Sequence, residues 1–245
     1  MTAARRFFVE GEQVAGGAVE ILGGDAHKIT RVLRLRAGDL IEIVDSRARA
    51  FPATIEEAGP VVRARLLDAI ADSKPDARTL IVEVAQAVPK AARMDFVVEK
   101  GTELGAAAFL PFYSERSVGR RVGPEKLARW RRIARSASQQ SGRRDVPAVH
   151  EPLEFDALVE RLGDYDAVLL AWELAPPEPL HDRLRALLPQ AGRVLIVVGP
   201  EGGFAHAEAE AASSRGAHVL WLGSRILRTD TAAIVLLAVI GAFTS

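Results

Sequence analysis

Val-Gly-Pro-Glu-Gly-Gly-Phe at Val198–Phe204 and Leu-Gly-Ser-Arg-Ile-Leu-Arg-Thr-Asp-Thr-Ala at Leu222–Ala232 decide how this chain is read. Each continues a short apolar run, Val194 to Val198 in the first case and His218 to Leu222 in the second. Each leads into an alanine-rich stretch that favours helix. Strand–loop–helix units of this kind put their loops at the carboxyl ends of parallel strands, where open α/β sheets bind ligands. Two of them in succession predict one pocket.

Outward from these loops the pattern is β/α alternation. Continuous apolar runs predict strands over Leu80 to Val88, Ala107 to Phe112, Ala167 to Trp172, Val194 to Val198 and His218 to Leu222. Helical periodicity marks Ala91 to Leu104, Pro124 to Gln140, Phe155 to Leu162, Pro179 to Leu188, Ala205 to Ser214 and Asp230 to Phe243. Apolar strands alternating with amphipathic helices predict an α/β domain with a parallel sheet covered on both faces. Upstream of the polar, proline-marked stretch Asp72–Asp76 the reading changes. Short alternating segments at Phe7 to Val9, Leu40 to Val44, Phe51 to Ile55 and Val61 to Leu67 predict half-buried antiparallel strands of a small β-barrel-like domain. One short helix is expected over Asp25 to Leu35, with Ile29, Val32 and Leu33 at helical spacing. The expected domains are residues 1–72 and 76–245.

The first loop invites a phosphate-binding reading, since glycine turns before helices present free N–H groups. Glu201 opposes it by placing a carboxylate where the anion would sit, and no Gly-x-Gly-x-x-Gly or Gly-Lys-Ser/Thr pattern is present. Two readings remain open for this loop. Glu201 suits a ligand with hydroxyl, amine or sulfonium groups, or the loop is a plain tight turn with Glu201 favourable near a helix N-terminus. In the second loop Thr229 or Asp230 is placed to cap the last helix. Ile226 and Leu227 either line a pocket for a flat apolar group or pack beneath the loop.

Composition narrows the chemistry further. The 245 residues contain no cysteine, which removes disulfides, thiolate metal sites and cysteine nucleophiles. No segment reads as a signal peptide, and the longest apolar run, Ala232 to Phe243, is too short to span a bilayer, so a soluble cytoplasmic protein is expected. The formal net charge of +0 conceals segregation. Ten basic residues face one acidic residue from Arg116 to Arg144, and ten acidic residues face one basic residue from Asp145 to Asp182. The basic run suits a polyanion. It equally suits a solvated helix neutralised by the acidic segment beside it.

The two loop sequences resemble the signature of the bacterial ribosomal RNA small-subunit methyltransferase E family, within the SPOUT superfamily. The similarity runs along the chain through Arg5-Arg6-Phe7-Phe8, His27, Arg31-Val32-Leu33-Arg34 and Gly38. It continues through Lys90, Arg93, Glu99-Lys100, Glu103-Leu104-Gly105, Pro111, Ser114-Glu115-Arg116, and Gln140 with Arg143 and Pro147. Two positions depart from the family pattern: Asp230 stands for the usual Glu, and Gln139-Gln140 for Glu-Gln.

The resemblance implies a PUA-like N-terminal β-barrel and a C-terminal parallel-sheet domain tied in a trefoil knot. It implies S-adenosylmethionine-dependent methylation of uridine N3 in 16S ribosomal RNA, by a homodimer acting on that RNA or on the small subunit, without metal. The cofactor residues it implies are Leu170, Trp172, Gly199, Pro200, Glu201, Gly202, Gly203, Leu222, Gly223, Ile226, Leu227, Arg228, Thr231 and Ala232. For catalysis it points to Arg228 as the cation that steadies the deprotonating base, then to Arg93 or Lys100. Glu201 is a candidate proton acceptor, and equally a cofactor ligand or helix cap. RNA contacts fall on Arg5, Arg6, His27, Arg31, Arg34, Lys90, Lys100, Arg116, Gln140, Arg143 and Arg144, although a surface histidine is an equal reading of His27. A non-catalytic RNA-binding factor would share the basic face but bind no methyl donor. A nucleotide-dependent oxidoreductase lacks its glycine fingerprint here.

Overall fold

A computed structural model describes residues 5–9, 13–15, 17–67, 80–118, 121–188 and 191–244. The chain divides into two compact units, residues 1–74 with 138–145 and residues 75–137 with 146–245. The stretch Asp72–Asp76 and Arg120 of the basic run lie outside the described residues.

The first unit is one sheet. Its strands are β1 (Arg6–Phe8), β2 (Val14–Ala15), β3 (Ala18–Ile21), β4 (Leu40–Val44), β5 (Ala50–Glu57) and β6 (Val62–Leu66), in the order β1-β4-β5-β6-β3-β2. All neighbours are antiparallel except β1 and β4. Alternation sorts the side chains as a half-buried sheet requires. On β6, Val62 and Ala64 enter the core while Arg63 and Arg65 face water and pair with Glu20 and Glu56 across the sheet. Arg6 and Glu42, opposite each other on β1 and β4, form a largely buried ion pair.

The expected helix Asp25–Leu35 is shorter and differently wound. Helix α1 (Gly23–His27) runs into a π-helical turn over Lys28–Val32, with the Leu33 N–H bonded to the Lys28 carbonyl at 2.8 Å. The wider turn breaks the 3.6-residue spacing. Ile29 is therefore buried, while Val32 is 64% exposed. Gln139 joins this unit by donating from Nε2 to Asp25 Oδ1 at 3.1 Å and accepting from Lys28 Nζ at 2.9 Å. A glutamate there could accept but not donate, which gives Gln139 a physical rationale.

The second unit is a fully parallel sheet. It contains β7 (Ile81–Ala87), α2 (Arg93–Glu103), β8 (Ala108–Tyr113), α3 (Pro124–Ser141), β9 (Ala148–Val149), β10 (Leu153–Glu154) and α4 (Phe155–Glu160). These are followed by β11 (Ala167–Ala171), α5 (Leu180–Leu187), β12 (Arg193–Val198), α6 (His206–Ser214), β13 (Ala217–Leu220) and α7 (Thr229–Thr244), with the last turn of α3 assigned to the first unit. The strand order is β10-β8-β7-β12-β11-β13, and β9 pairs with β8. The short strands β9 and β10 have no counterpart in the sequence reading. Strand β13 stops at Leu220, two residues short of expectation.

Alternate residues of β12 explain why both faces are covered. Val194, Ile196 and Val198 pack in one core with Met94 and Val98 of α2, Trp130 of α3 and Leu236 and Leu237 of α7. Leu195 and Val197 enter a second core with Leu158 of α4 and Ala212 of α6. At the amino ends of the strands, Glu83 accepts hydrogen bonds from Tyr165 Oη at 2.7 Å and Arg193 Nη2 at 2.8 Å. The carboxyl ends are left to the loops.

Candidate active site

Four loops of the second unit border a cleft of about 460 Å³ at the carboxyl ends of the strands. Arg93, the first residue of α2, comes from the loop after β7. Trp172 and Glu173 follow β11, Gly199–Phe204 follows β12, and Trp221–Thr229 follows β13.

The Gly199–Phe204 turn is fixed from below and within. The Gly203 N–H donates to the Pro200 carbonyl at 3.0 Å, closing a tight turn. Phe204 is buried against Phe112 and Phe155, with ring centroids 6.3 and 5.9 Å away. A Cβ at Gly199 would lie 3.0 Å from the Phe204 ring. Gly203 has φ +68°, and a Cβ there would lie 2.1 Å from Glu173 Oε1. The left-handed φ favours glycine at 203, and its missing side chain leaves room for the Glu173 carboxylate.

Helix α6 is capped by Glu208, whose Oε2 accepts the Ala205 N–H at 2.9 Å. Its other oxygen accepts the Glu115 N–H at 2.9 Å. Beside it Arg116 Nη1 donates to the Gly202 carbonyl at 3.1 Å. Glu201 therefore has a different task. Its Oε1 accepts the Lys90 N–H at 3.0 Å and Arg93 Nη1 at 3.3 Å, which ties the β12 loop to the loop before α2.

A second tie is buried. Gln86 Nε2 donates to Thr229 Oγ1 at 2.7 Å, and that hydroxyl donates to the Gly199 carbonyl at 2.5 Å. Thr229 is thus committed to the neighbouring loop rather than to capping α7, while Asp230 accepts the Thr231 N–H at 3.1 Å.

Most residues expected to bind the cofactor border this cleft: Trp172, Gly199 to Gly203, Leu222, Gly223, Ile226, Leu227, Arg228 and Ala232. Leu227 also packs on the core, but Ile226 is 89% exposed. Leu170 lies wholly within the second core, and Thr231 is exposed on α7 outside the cleft lining. Among the described residues, exposed Arg228 and Arg225 join no ion pair. Trp172 Nε1 is buried without an acceptor there, and the indole meets His206 edge-on at 5.1 Å.

The other expected RNA contacts divide by environment. Arg5, His27, Arg31 and Arg34 are exposed in the first unit, and Arg34 adopts φ +54°. Arg6 is engaged by Glu42, and Arg143 by Asp145. Arg144 is half-buried, and Gln140 is exposed. In the second unit, exposed Lys90 contributes its main chain to Glu201, and Lys100 pairs with Glu99 and Glu103.

Sequence reasoning missed Glu173, Gln86 and Glu208. Gln86 had a signal, as an amide inside an apolar strand, but its partner lies 143 positions away. Among the described residues no cluster of His, Cys, Asp or Glu could hold a metal ion, and no helix is long and apolar enough to cross a membrane.

Residues 77–241 match the family model described as an RNA methyltransferase domain, and residues 22–60 match one described as an RNA methyltransferase PUA domain. The chain is 33% identical to the ribosomal RNA small subunit methyltransferase E of Bacillus subtilis, over 96% of this chain and 95% of that one. It is 38% identical to the Mycobacterium bovis protein of the same name, over 94% and 88%. Among solved structures, the ribosomal RNA small subunit methyltransferase E of Neisseria gonorrhoeae bound to S-adenosyl methionine superposes with a TM-score of 0.85 at 28% identity, over 98% of each chain.

Proposed function

The chain belongs to the ribosomal RNA small subunit methyltransferase E family, and from that premise we propose that it methylates N3 of a uridine in 16S ribosomal RNA, using S-adenosylmethionine. One observation carries the reading. Both glycine loops meet the β11 loop on a single cleft at the carboxyl ends of parallel strands.

The residues present fit such a donor. Leu222, Leu227 and Ala232 offer apolar walls to a flat ring. Glu201 is paired with Arg93, while Glu173 gives the cleft one carboxylate open to a cation, on a lining that also carries Arg225 and Arg228. Trp172 supplies a buried donor that has no acceptor among the described residues. When bound, the donor supplies an electrophilic methyl group on a positive sulfonium.

The remaining work belongs to the chain. Uridine N3 becomes a nucleophile when its proton passes to solvent water, and the negative charge spreads over the flanking carbonyl oxygens. Arg228, exposed at the cleft and outside any ion pair among the described residues, is the cation assigned to that charge. Arg93 is the second such group, held at the rim by Glu201. With Oε1 taken up by Lys90 and Arg93, Glu201 is assigned to holding rather than to proton transfer. Fixing the loops against one another supplies the orientation that an in-line transfer demands.

Residues 1–72 are assigned to RNA binding as a PUA-like barrel, and 76–245 to catalysis in a knotted domain. The PUA-model match and exposed Arg31 and Arg34 support the first assignment. The placement of β12 between β7 and β11, with β13 beyond β11, supports a threaded C-terminal chain. A homodimer working in the cytoplasm completes the reading. Half-buried Ile234, Val235 and Val239 on α7, which carries no charge after Asp230, supply an apolar surface for it.

The test is nucleoside mass spectrometry of ribosomal RNA from a strain lacking the gene. Loss of 3-methyluridine, restored by the wild-type chain but not by Arg228→Ala, is expected. Undiminished 3-methyluridine in that strain overturns the proposal.

A further inference from the structure

Two carboxylates border the cleft, and their surroundings differ. Glu201 is neutralised by the Arg93 guanidinium and the Lys90 N–H. Glu173, in the turn after β11, accepts no hydrogen bond and joins no ion pair among the described residues, although Arg225 and Arg228 line the same cleft. Its Oε1 lies in the space that a side chain at position 203 would fill, 2.1 Å from where a Cβ would stand. A glycine at φ +68° is what leaves that space open. The chain thus combines a backbone requirement at Gly203 with a carboxylate that has no direct partner among the described residues beside the same loop.

A carboxylate facing a cleft gains most from a bound cation that displaces water. We infer that Glu173 is the counter-ion for the positive charge of the methyl donor, a role that rests on the proposed use of S-adenosylmethionine. Glu201, already paired, contributes less to that charge. The recognised feature is a cation, either the sulfonium or the α-ammonium of the amino-acid end.

Isothermal titration calorimetry on the full chain and on Glu173→Gln tests this with three ligands. S-adenosylmethionine carries both cations, S-adenosylhomocysteine only the ammonium, and 5′-methylthioadenosine neither. The variant is expected to bind S-adenosylmethionine at least about tenfold more weakly, the scale of one charge-assisted contact, with 5′-methylthioadenosine unchanged. A matching loss for S-adenosylhomocysteine assigns the contact to the ammonium, and a loss confined to S-adenosylmethionine assigns it to the sulfonium. Unchanged binding of S-adenosylmethionine by the variant overturns the inference while leaving the methyltransferase reading intact. Equal weakening of all three ligands overturns it too, since the cleft would then have changed shape. A wild-type chain that binds none of the three overturns the methyltransferase reading itself, and the inference with it.

Discussion

Glu201 accepts the main-chain N–H of Lys90 at 3.0 Å, across 111 positions of sequence. The loop it fastens includes Ala91 in the left-handed region at φ +54°, a conformation that costs an alanine about 1 kcal/mol or more. The strained loop presents Arg93 at the cleft rim, and Glu201 holds it there. Glu201→Gln keeps an acceptor for the Lys90 N–H and should retain kcat within about threefold, with an unchanged pH–rate profile. Glu201→Ala removes the acceptor and should lower kcat/KM by about 30-fold or more. Loss of the acid limb of the profile in Glu201→Gln would instead mark a proton acceptor.

The buried hydroxyl of Thr229 joins Gln86 to Gly199. Thr229→Val conserves shape but strands the Gly199 carbonyl and one N–H of Gln86, whose amide keeps its bond to the Ala87 carbonyl at 3.1 Å. Leaving such groups unsatisfied costs about 1–3 kcal/mol. For a chain of this size that corresponds to a fall of roughly 2–10 °C in Tm by differential scanning calorimetry. Donor affinity should fall with it, because the hydroxyl fixes one cleft loop against another.

Gly203→Ala confronts two obstacles, a Cβ 2.1 Å from Glu173 Oε1 and a left-handed φ of +68°. The Glu173 side chain is exposed and can swing away, so the fold should survive with only a modest loss of Tm. The displaced carboxylate should weaken S-adenosylmethionine binding by about tenfold, read by calorimetry.

Away from the cleft, burial and then the hydrogen bond to Glu83 push the Tyr165 phenol pKa up, against a smaller opposing effect of Arg193. The folded protein thus keeps a proton that the unfolded chain surrenders near pH 10. This group's stabilisation is complete below that pH and is lost as pH rises beyond it. Denaturant unfolding between pH 9 and 11 should show a steeper decline for wild type than for Tyr165→Phe. Parallel curves would contradict the assignment.

Much of the second unit is legible in sequence because its signals are local. The apolar run at Val194–Val198 has to bury both faces, and the glycine turn after it has to end the strand. The pairing of Glu201 with Lys90 and Arg93 is not legible. Nothing near residue 201 encodes partners 108 and 111 positions away. Glu173 escapes for the same reason, since only the fold brings its carboxylate beside Gly203. Val32 shows the opposite failure, in which a sound helical spacing was undone by a π-helical turn. The two strand–loop–helix units predicted a shared pocket and family resemblance named its ligand, but neither could say which carboxylate is already paired.

The most direct measurement is in vitro. Small-subunit ribosomal RNA from the deletion strain, free or assembled, is incubated with purified chain and S-adenosylmethionine, then digested and analysed by nucleoside mass spectrometry. Appearance of 3-methyluridine with the wild-type chain, and its absence with Arg228→Ala, is the predicted result. No methylated nucleoside, or a methyl group on any position other than uridine N3, would contradict the account.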